Sequence, residues 1–144
     1  MKAKIAVVTG GSRGLGKDMA LSLAKKGIDV ILTYHTKKEE AEKVVAEIIQ
    51  LGRKAVALSF DAGNIKALDN FVESIRSVLN SNWSADKFDF LVNNAGTGAT
   101  IPIAQVTEEN FDNLLNIHFK SVYFLSQKSF SLLNDNGGIF ALWK

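Results

Sequence analysis

The sequence predicts an α/β fold, a doubly wound parallel sheet with helices on both faces. Two observations predict it. Short apolar runs of strand length alternate with segments whose apolar residues recur every three or four positions, and glycines follow the helical segments as stop signals. The chain has 144 residues and is 47% hydrophobic, which is enough to bury a sizeable core. We therefore expect a single domain over residues 1–144.

The first half of the chain contains two strand–helix pairs. Residues 5–8 form an apolar strand, and the helical pattern that follows ends before Gly27. Residues 30–33 form the second strand, and the helix over residues 38–51 ends before Gly52. Strand, helix, strand and helix in this order predict parallel strands joined by right-handed crossovers.

The second half continues the alternation. The third strand covers residues 55–60, its helix residues 65–79, and the fourth strand residues 88–92. After a loop over residues 93–106, a long helix is predicted, to be ended by the run Asn136-Gly137-Gly138. A fifth strand over residues 139–143 then completes the pattern.

A glycine-rich turn links the first strand to the first helix. Gly10 and Gly14 can adopt positive φ, and the missing Cβ atoms let a pyrophosphate approach the amides of residues 12–16. The first N–H groups of the helix and its positive dipole end attract that anion. Gly16 lets the helix pack closely on the strand. The spacing GxxxGxG differs from the dinucleotide fingerprint GxGxxG, and an ordinary glycine-rich loop is the structural alternative.

Composition argues against several classes of function. The net charge is +2 and no basic run is interleaved with aromatic residues, so we expect neither nucleic acid nor a membrane as partner. The chain has no cysteine, and His35 with Glu39 lacks a third ligand, so we expect no metal. A first strand by Ile5 leaves no room for a signal peptide, and no apolar run reaches about 18 residues. We expect a cytoplasmic protein.

Two motifs carry a family resemblance. The run Thr9-Gly10-Gly11-Ser12-Arg13-Gly14-Leu15-Gly16 resembles the TGxxxGxG motif of the short-chain dehydrogenase/reductase family, and the run Asn93-Asn94-Ala95-Gly96 resembles its NNAG motif. Asp61 resembles the acidic residue that binds adenine, and Asn116 the helix asparagine of the catalytic proton relay. Within the family, the chain is most similar to the 3-oxoacyl-carrier-protein reductase-like branch.

The resemblance implies a Rossmann-like fold and a set of site residues. It assigns a catalytic role to Asn116. The implied cofactor-binding residues are Thr9, Gly10, Ser12, Arg13, Gly14, Leu15, Gly16, Thr33, Asp61, Ala62, Asn93, Ala95 and Gly96.

Structural roles compete with two of these readings. Asp61 can serve as a helix cap or turn acid, and Asn94 can serve turn chemistry at the strand exit. By contrast, Asn116 stands within a predicted helix, where asparagine is unfavourable, which suggests a specific purpose. His118 can face a substrate cleft or a partner helix.

The end of the second strand bears on the choice of cofactor. An acidic residue there would bind the 2′-hydroxyl of NAD and repel a 2′-phosphate, but residues 31–35 contain none. Arg13 can fork onto the extra phosphate, and Lys37 or Lys38 can add positive charge, although at least one of these lysines is read as a solvated helix start. We therefore predict NADP rather than NAD.

The family's remaining catalytic groups, a serine and a YxxxK motif, have no counterpart in the expected place. Tyr34 and Lys38 satisfy YxxxK, but they follow the second strand and are read as coincidence. We therefore expect a fold truncated after about five strands, the inactive cofactor-binding portion of an NADP-dependent oxidoreductase whose full-length form acts on a small-molecule carbonyl or alcohol. The alternative is a non-catalytic nucleotide-binding or assembly module. An unpaired sheet edge and uncovered helix faces predict a homo-oligomer.

Overall fold

A five-stranded parallel sheet forms the centre of the computed structural model, which describes residues 2–142. The strand order is β3-β2-β1-β4-β5, and every neighbouring pair is parallel. The predicted fold class is therefore confirmed. The strands are β1 (Ile5–Val8), β2 (Asp29–Tyr34), β3 (Ala55–Ser59), β4 (Phe88–Asn93) and β5 (Leu133–Ala141).

Helices cover both faces of this sheet. The helices are α1 (Gly14–Lys25), α2 (Lys38–Gln50), α3 (Leu68–Trp83), α4 (Glu108–Leu115) and α5 (Ser121–Ser129). Val44 and Ile48, one helical turn apart on α2, are fully buried in a cluster with Leu32 of β2. Ile75 of α3 and Leu91 of β4 belong to a second buried cluster. The sheet thus separates two apolar layers, as its near-continuous apolar strands require.

Helix α3 runs further than its apolar pattern predicts. A 3₁₀ turn over Ile65–Ala67 precedes the helix, which ends at Trp83. The indole Nε1 of Trp83 donates a hydrogen bond to Asp29 Oδ2 at 2.8 Å. The helix then stops at Ser84, whose φ is +49°. This contact with the amino end of β2 supports the last turn of the helix. The apolar pattern did not predict that turn, because the contact joins residues far apart in the sequence.

The long helix predicted after the loop is divided by a wider turn. Residues Asn116–Lys120 form a π-helical segment between α4 and α5. Thr107 starts α4 with a capping box, in which its hydroxyl accepts from Asn110 N and its own N–H donates to Asn110 Oδ1. A 3₁₀ turn over Phe130–Leu132 ends the helical stretch.

The predicted boundary between this helix and β5 is wrong. The helical stretch ends at Leu132 rather than at Asn136, and β5 begins at Leu133. Leu133 pairs with Phe88, while residues 138–141 pair with residues 90–93 after a register shift. A Cβ on Gly137 would lie 2.3 Å from Asp89 O, so the glycine permits close approach to β4. Trp143, at the end of the predicted strand, lies outside the described residues.

The strand order creates a crevice at the carboxyl end of the sheet. β1 lies between β2 and β4, and the chain leaving β1 enters α1, which packs with α2 on one face. α3 and α5 contact each other on the opposite face. Connections that leave neighbouring strands toward opposite faces open the cleft where folds of this kind bind ligands. Each helix within residues 2–142 is too short or too polar to traverse a membrane.

Candidate functional site

The glycine-rich turn after β1 has the backbone conformation that its sequence predicts. Gly10 has φ +66° and Gly14 has φ +55°, in the left-handed region. The turn is held against β2, because Gly10 N donates to Thr33 Oγ1 at 3.0 Å and Gly11 N donates to Thr33 O at 2.9 Å. Thr33 therefore fixes the turn from the neighbouring strand.

Gly16 is needed for contact with the turn rather than with the strand. A Cβ at this position would lie 1.9 Å from Gly10 O and 2.5 Å from Asn94 Nδ2. The expected close packing on the strand is therefore corrected, because the atoms that a Cβ would meet belong to the turn and to Asn94. Helix α1 starts directly against the loop that it follows.

The first amides of α1 remain available to an anion. Arg13 precedes the helix in extended conformation and makes no side-chain cap. Lys17 N donates to Arg13 O at 3.2 Å, but the amides of residues 12–16 have no hydrogen-bond acceptor within the described part of the chain. No atom lies within 4 Å of a Cβ built on Gly14, so this side of the turn is open. These donors suit a phosphate.

Thr9 and Asn94 join the two motifs across β1 and β4. Thr9 Oγ1 accepts from Asn94 N at 3.0 Å and from Ala95 N at 2.9 Å. Asn94 Nδ2 donates to Thr9 O and Gly10 O, each at 3.1 Å. Both side chains are buried. For Asn94 the geometry matches the structural alternative, since its side-chain amide donates to two backbone carbonyl groups at the start of the turn.

A cavity of about 580 Å³ lies at the carboxyl ends of the strands. This volume is in the range of small-molecule and cofactor sites. Most predicted site residues line it: Gly10, Ser12, Arg13, Gly14, Leu15, Thr33, Asp61, Ala62, Ala95 and Gly96.

Four predicted site residues are not on the cavity wall: Thr9, Gly16, Asn93 and Asn116. The first two support the turn as described above. Asn93 is buried and its Nδ2 donates to Ser126 Oγ of α5 at 3.2 Å. Asn116 is the first residue of the π-helical segment, and the next residue, Ile117, does line the cavity. The direct roles assigned to these four side chains stay predictions.

Asp61 combines the two roles considered for it. Its Oδ1 accepts from Gly63 N at 2.9 Å, which is the contact of a turn acid. Its Oδ2 lies 3.6 Å from His35 Nε2, and about half of the side chain is exposed. One carboxylate oxygen is therefore used by the turn, and the other faces the cavity side chains.

Gly96 makes room for a histidine ring. A Cβ on Gly96 would lie 2.6 Å from His118 Cε1. Nε2 of His118 lies 2.6 Å from Thr97 O and 3.2 Å from Thr97 N. A ring nitrogen carries either a proton or a lone pair, so one of these hydrogen bonds forms at a time. The π-helical segment thereby holds the loop after β4.

Several wall residues were not among the predicted cofactor-binding residues. Tyr34 ends β2, and His35, Thr36 and Lys37 follow it along the wall, together with Phe60, Gly63, Asn94, Thr97 and Ile117. Of these, Lys37 is one of the two lysines expected to add positive charge. The signal that would have found most of them is topological, because residues just after parallel strands meet at one edge of the sheet. Within the described residues, no three potential ligands gather into a metal site.

The chain matches known proteins over nearly its whole length. Residues 4–140 match the short chain dehydrogenase family model. The hydroxynaphthalene reductase-like protein Arp2 of Metarhizium brunneum is 34% identical over 140 residues, which is 96% of this chain and 50% of that protein. The short chain dehydrogenase mdpC of Emericella nidulans is 32% identical over 142 residues, 99% of this chain and 51% of that protein. The chain thus spans about half the length of these relatives.

Solved structures agree with the fold and the family. A short chain dehydrogenase from Burkholderia cenocepacia in complex with NADP superimposes with a TM-score of 0.85 at 37% identity, over 94% of this chain and 53% of that one. The angucycline C-6 ketoreductase LanV with bound NADP has a TM-score of 0.91 at 33% identity, with the same coverage. Several solved relatives thus hold NADP. From its motifs, its sheet order and these matches, the chain belongs to the short chain dehydrogenase family.

Proposed function

We propose that the chain is the cofactor-binding portion of an NADP-dependent oxidoreductase, which transfers hydride between a nicotinamide ring and a small-molecule carbonyl or alcohol. The observation that carries the proposal is the cavity itself. It joins unpartnered amides at the start of α1 to basic side chains beside β2. Amides and cations in one cleft suit a ligand that carries a diphosphate and a further phosphate.

The wall after β2 favours NADP over NAD. An acid at this position would repel a 2′-phosphate, and residues 33–37 contain none. Arg13 and Lys37 both line the cavity, and no ion pair within the described residues engages either of them. A guanidinium can bind a phosphate with two parallel hydrogen bonds. NADP in the solved relatives agrees with this preference.

The catalytic groups are only partly present in these 144 residues. When bound, the nicotinamide supplies or accepts the hydride. Asn116 is proposed for the proton relay, on the strength of its place in the family motif and at the π-helical turn beside the cavity. Tyr34 ends β2 and Lys38 begins α2, so this YxxxK run lies at the end of the second strand, and Lys38 is not on the cavity wall. We therefore propose that this chain binds cofactor without turning over substrate.

The missing serine and YxxxK motif also favour a second candidate, a non-catalytic nucleotide-binding or assembly module. Both candidates predict nucleotide binding, so binding does not separate them. The gene does: an in-frame serine and YxxxK beyond codon 144 selects the reductase portion, and a stop without such a motif selects the module. Reduction of a generic ketone by the pure chain with NADPH would contradict the proposed inactivity.

Titration with NADPH and NADH tests the proposed cofactor. NADPH should bind more tightly, and Arg13→Ala should weaken NADPH about tenfold while NADH changes little, because only the 2′-phosphate loses a charged hydrogen bond. Arg76→Ala is the matched control, since Arg76 pairs with Glu73 on the exposed side of α3. Equal affinity of the wild-type chain for both cofactors would contradict the inference that the cavity binds a 2′-phosphate.

We also propose that the chain associates with further copies of itself. Phe111 of α4 and Tyr123 of α5 are both 59% exposed on the outer surface of the helices, and β5 is an edge strand of the sheet among the described residues. Ile139 and Phe140 are 39% and 54% exposed. Unpaired strand edges and exposed apolar patches favour association between chains.

A further inference from the structure

The run Asn136-Gly137-Gly138, expected to end a helix, lies instead inside β5. It contains the only Asn-Gly pair of the sequence. The backbone nitrogen that follows an asparagine can attack the side-chain amide, and glycine exposes that nitrogen most, because it has no Cβ to shield it. The reactivity of the pair therefore depends on whether the fold leaves the side chain and the backbone free.

The backbone around Asn136 lies outside the regular pairing of β4 and β5. The register shifts between Phe88 and Phe90, so residues 134–137 face a single residue of β4. Such an insertion is a bulge, in which the extra residues interrupt the ladder of hydrogen bonds. Asn136 has φ +67°, in the left-handed region that asparagine tolerates better than most residues. The regular strand conformation is thus interrupted at this pair.

The side chain of Asn136 is exposed, and no hydrogen bond within residues 2–142 holds it. Asn136 and Gly137 both lie on the wall of an open cavity of about 630 Å³ at the amino ends of β4 and β5, so water reaches them. By contrast, Asn134 in the same bulge donates from Nδ2 to Asp89 Oδ1 at 3.2 Å. Its neighbour is an aspartate, whose side chain shields the backbone nitrogen.

Other asparagines are held by the fold. Asn93 and Asn94 are buried. Asn80 lies within α3, where the hydrogen bonds of the helix hold the backbone N–H that follows it. Among the described residues, Asn136 alone combines an exposed, unbound amide with a glycine neighbour.

We propose that Asn136 is a site of spontaneous covalent modification. The backbone nitrogen of Gly137 attacks Cγ of Asn136, and the new N–Cγ bond closes a succinimide ring. The Cγ–Nδ2 bond breaks, and the amide group leaves as ammonia with the proton of the Gly137 N–H. One water molecule then opens the ring at either carbonyl carbon, which gives aspartate or isoaspartate. The inference does not depend on the proposed function.

Either product adds a negative charge to the start of β5. Asp135 precedes the site, and Asp89 faces the bulge, where it accepts from Asn134. Like charges that lie close together repel. In isoaspartate the main chain also gains a carbon atom beside Gly137, where a Cβ would lie 2.3 Å from Asp89 O. The modification therefore weakens the pairing of β5 with β4.

Incubation of the folded chain in mildly alkaline water enriched in heavy oxygen tests the proposal. Peptide mass spectrometry should find the change from amide to acid at Asn136, with one heavy oxygen taken up from the solvent. Asn134 is the matched control inside the same bulge. The acid should form about tenfold faster at Asn136 than at Asn134, a difference that about 1.4 kcal/mol of activation free energy produces.

Hydroxylamine gives a second measurement, because it attacks a succinimide and cuts the chain there. The folded chain should yield the fragments 1–136 and 137–144. Asn136→Gln should abolish the fragments and the acid, since its longer side chain does not close the same ring, and Asn134→Gln should keep both. An unchanged amide at Asn136, equal rates at the two asparagines, or conversion only after denaturation in urea would overturn the proposal.

Discussion

Gly16 shows how one missing methyl group sets the geometry of the site. Replacement by alanine would place Cβ 1.9 Å from Gly10 O, a backbone atom of the turn. Either α1 or the turn must move, so we expect Gly16→Ala to lower the free energy of unfolding by about 1 to 3 kcal/mol. NADPH affinity should fall at least tenfold, because the amides of residues 12–16 move with the helix. Urea denaturation and calorimetric titration measure both effects.

Gly98→Ala is the control for this prediction. No atom lies within 4 Å of a Cβ built on Gly98, and its φ lies outside the left-handed region. The variant should keep the wild-type stability and affinity. If Gly16→Ala binds NADPH as tightly as Gly98→Ala does, contact between α1 and the turn does not govern the site.

Backbone constraints within a single turn could be predicted from the sequence. Positive φ at Gly10 and Gly14 could be expected, because the turn between strand and helix needs a conformation that only glycine adopts easily. The need for glycine at position 96 could not be expected, since the space that a Cβ would take is occupied by the ring of His118, which lies in a later helical segment. The second oxygen of Asp61 likewise meets a residue from another strand end, His35.

At the scale of elements, the π-helical segment between α4 and α5 was missed for a physical reason. The apolar pattern of this stretch fits one continuous helix, and it contains neither proline nor glycine to mark a change. The widened turn brings Ile117 to the cavity wall and His118 to Thr97. Such π-turns often occur at functional sites. The π-helical segment could not be predicted from the sequence, because only its contacts with other elements distinguish it from a continuous helix.

Removal of the His118 ring should loosen the loop after β4. In His118→Ala the hydrogen bond to Thr97 and the packing on Gly96 are lost. We expect NADPH affinity to fall about three- to tenfold, because Ala95 and Gly96 form part of the cavity wall. Amide hydrogen exchange at Thr97 should become faster. Lys120→Ala, at an exposed position of the same segment, serves as the control, and equal affinities for the two variants would argue against the contact.

At the scale of the whole molecule, alternation of apolar runs and helical periods was sufficient to predict the sheet, its parallel strands and helices on both faces. The boundary of β5 was not predictable in the same way. Residues 134–136 are polar and β5 starts before them, because Asn134 Nδ2 donates to Asp89 Oδ1 and the backbone approaches β4 at Gly137. The conformation of this segment is set by its pairing with β4 and not by the local preference of its residues.

The outer surface of the helices carries the last prediction. Phe111, Leu115 and Tyr123 are 59%, 44% and 59% exposed along α4 and α5, and exposed apolar patches mark surfaces that bind a partner. We expect a dimer or larger species at micromolar concentration, and a shift toward monomer in the double variant Phe111→Glu, Tyr123→Glu, because buried carboxylates oppose association. Light scattering after size exclusion measures the mass. Ile49→Glu, at a 57% exposed site on α2, should leave the mass unchanged. A wild-type chain that elutes as a monomer would contradict the proposed association, and an oligomer that the double variant leaves intact would contradict the assignment of the contact to this surface.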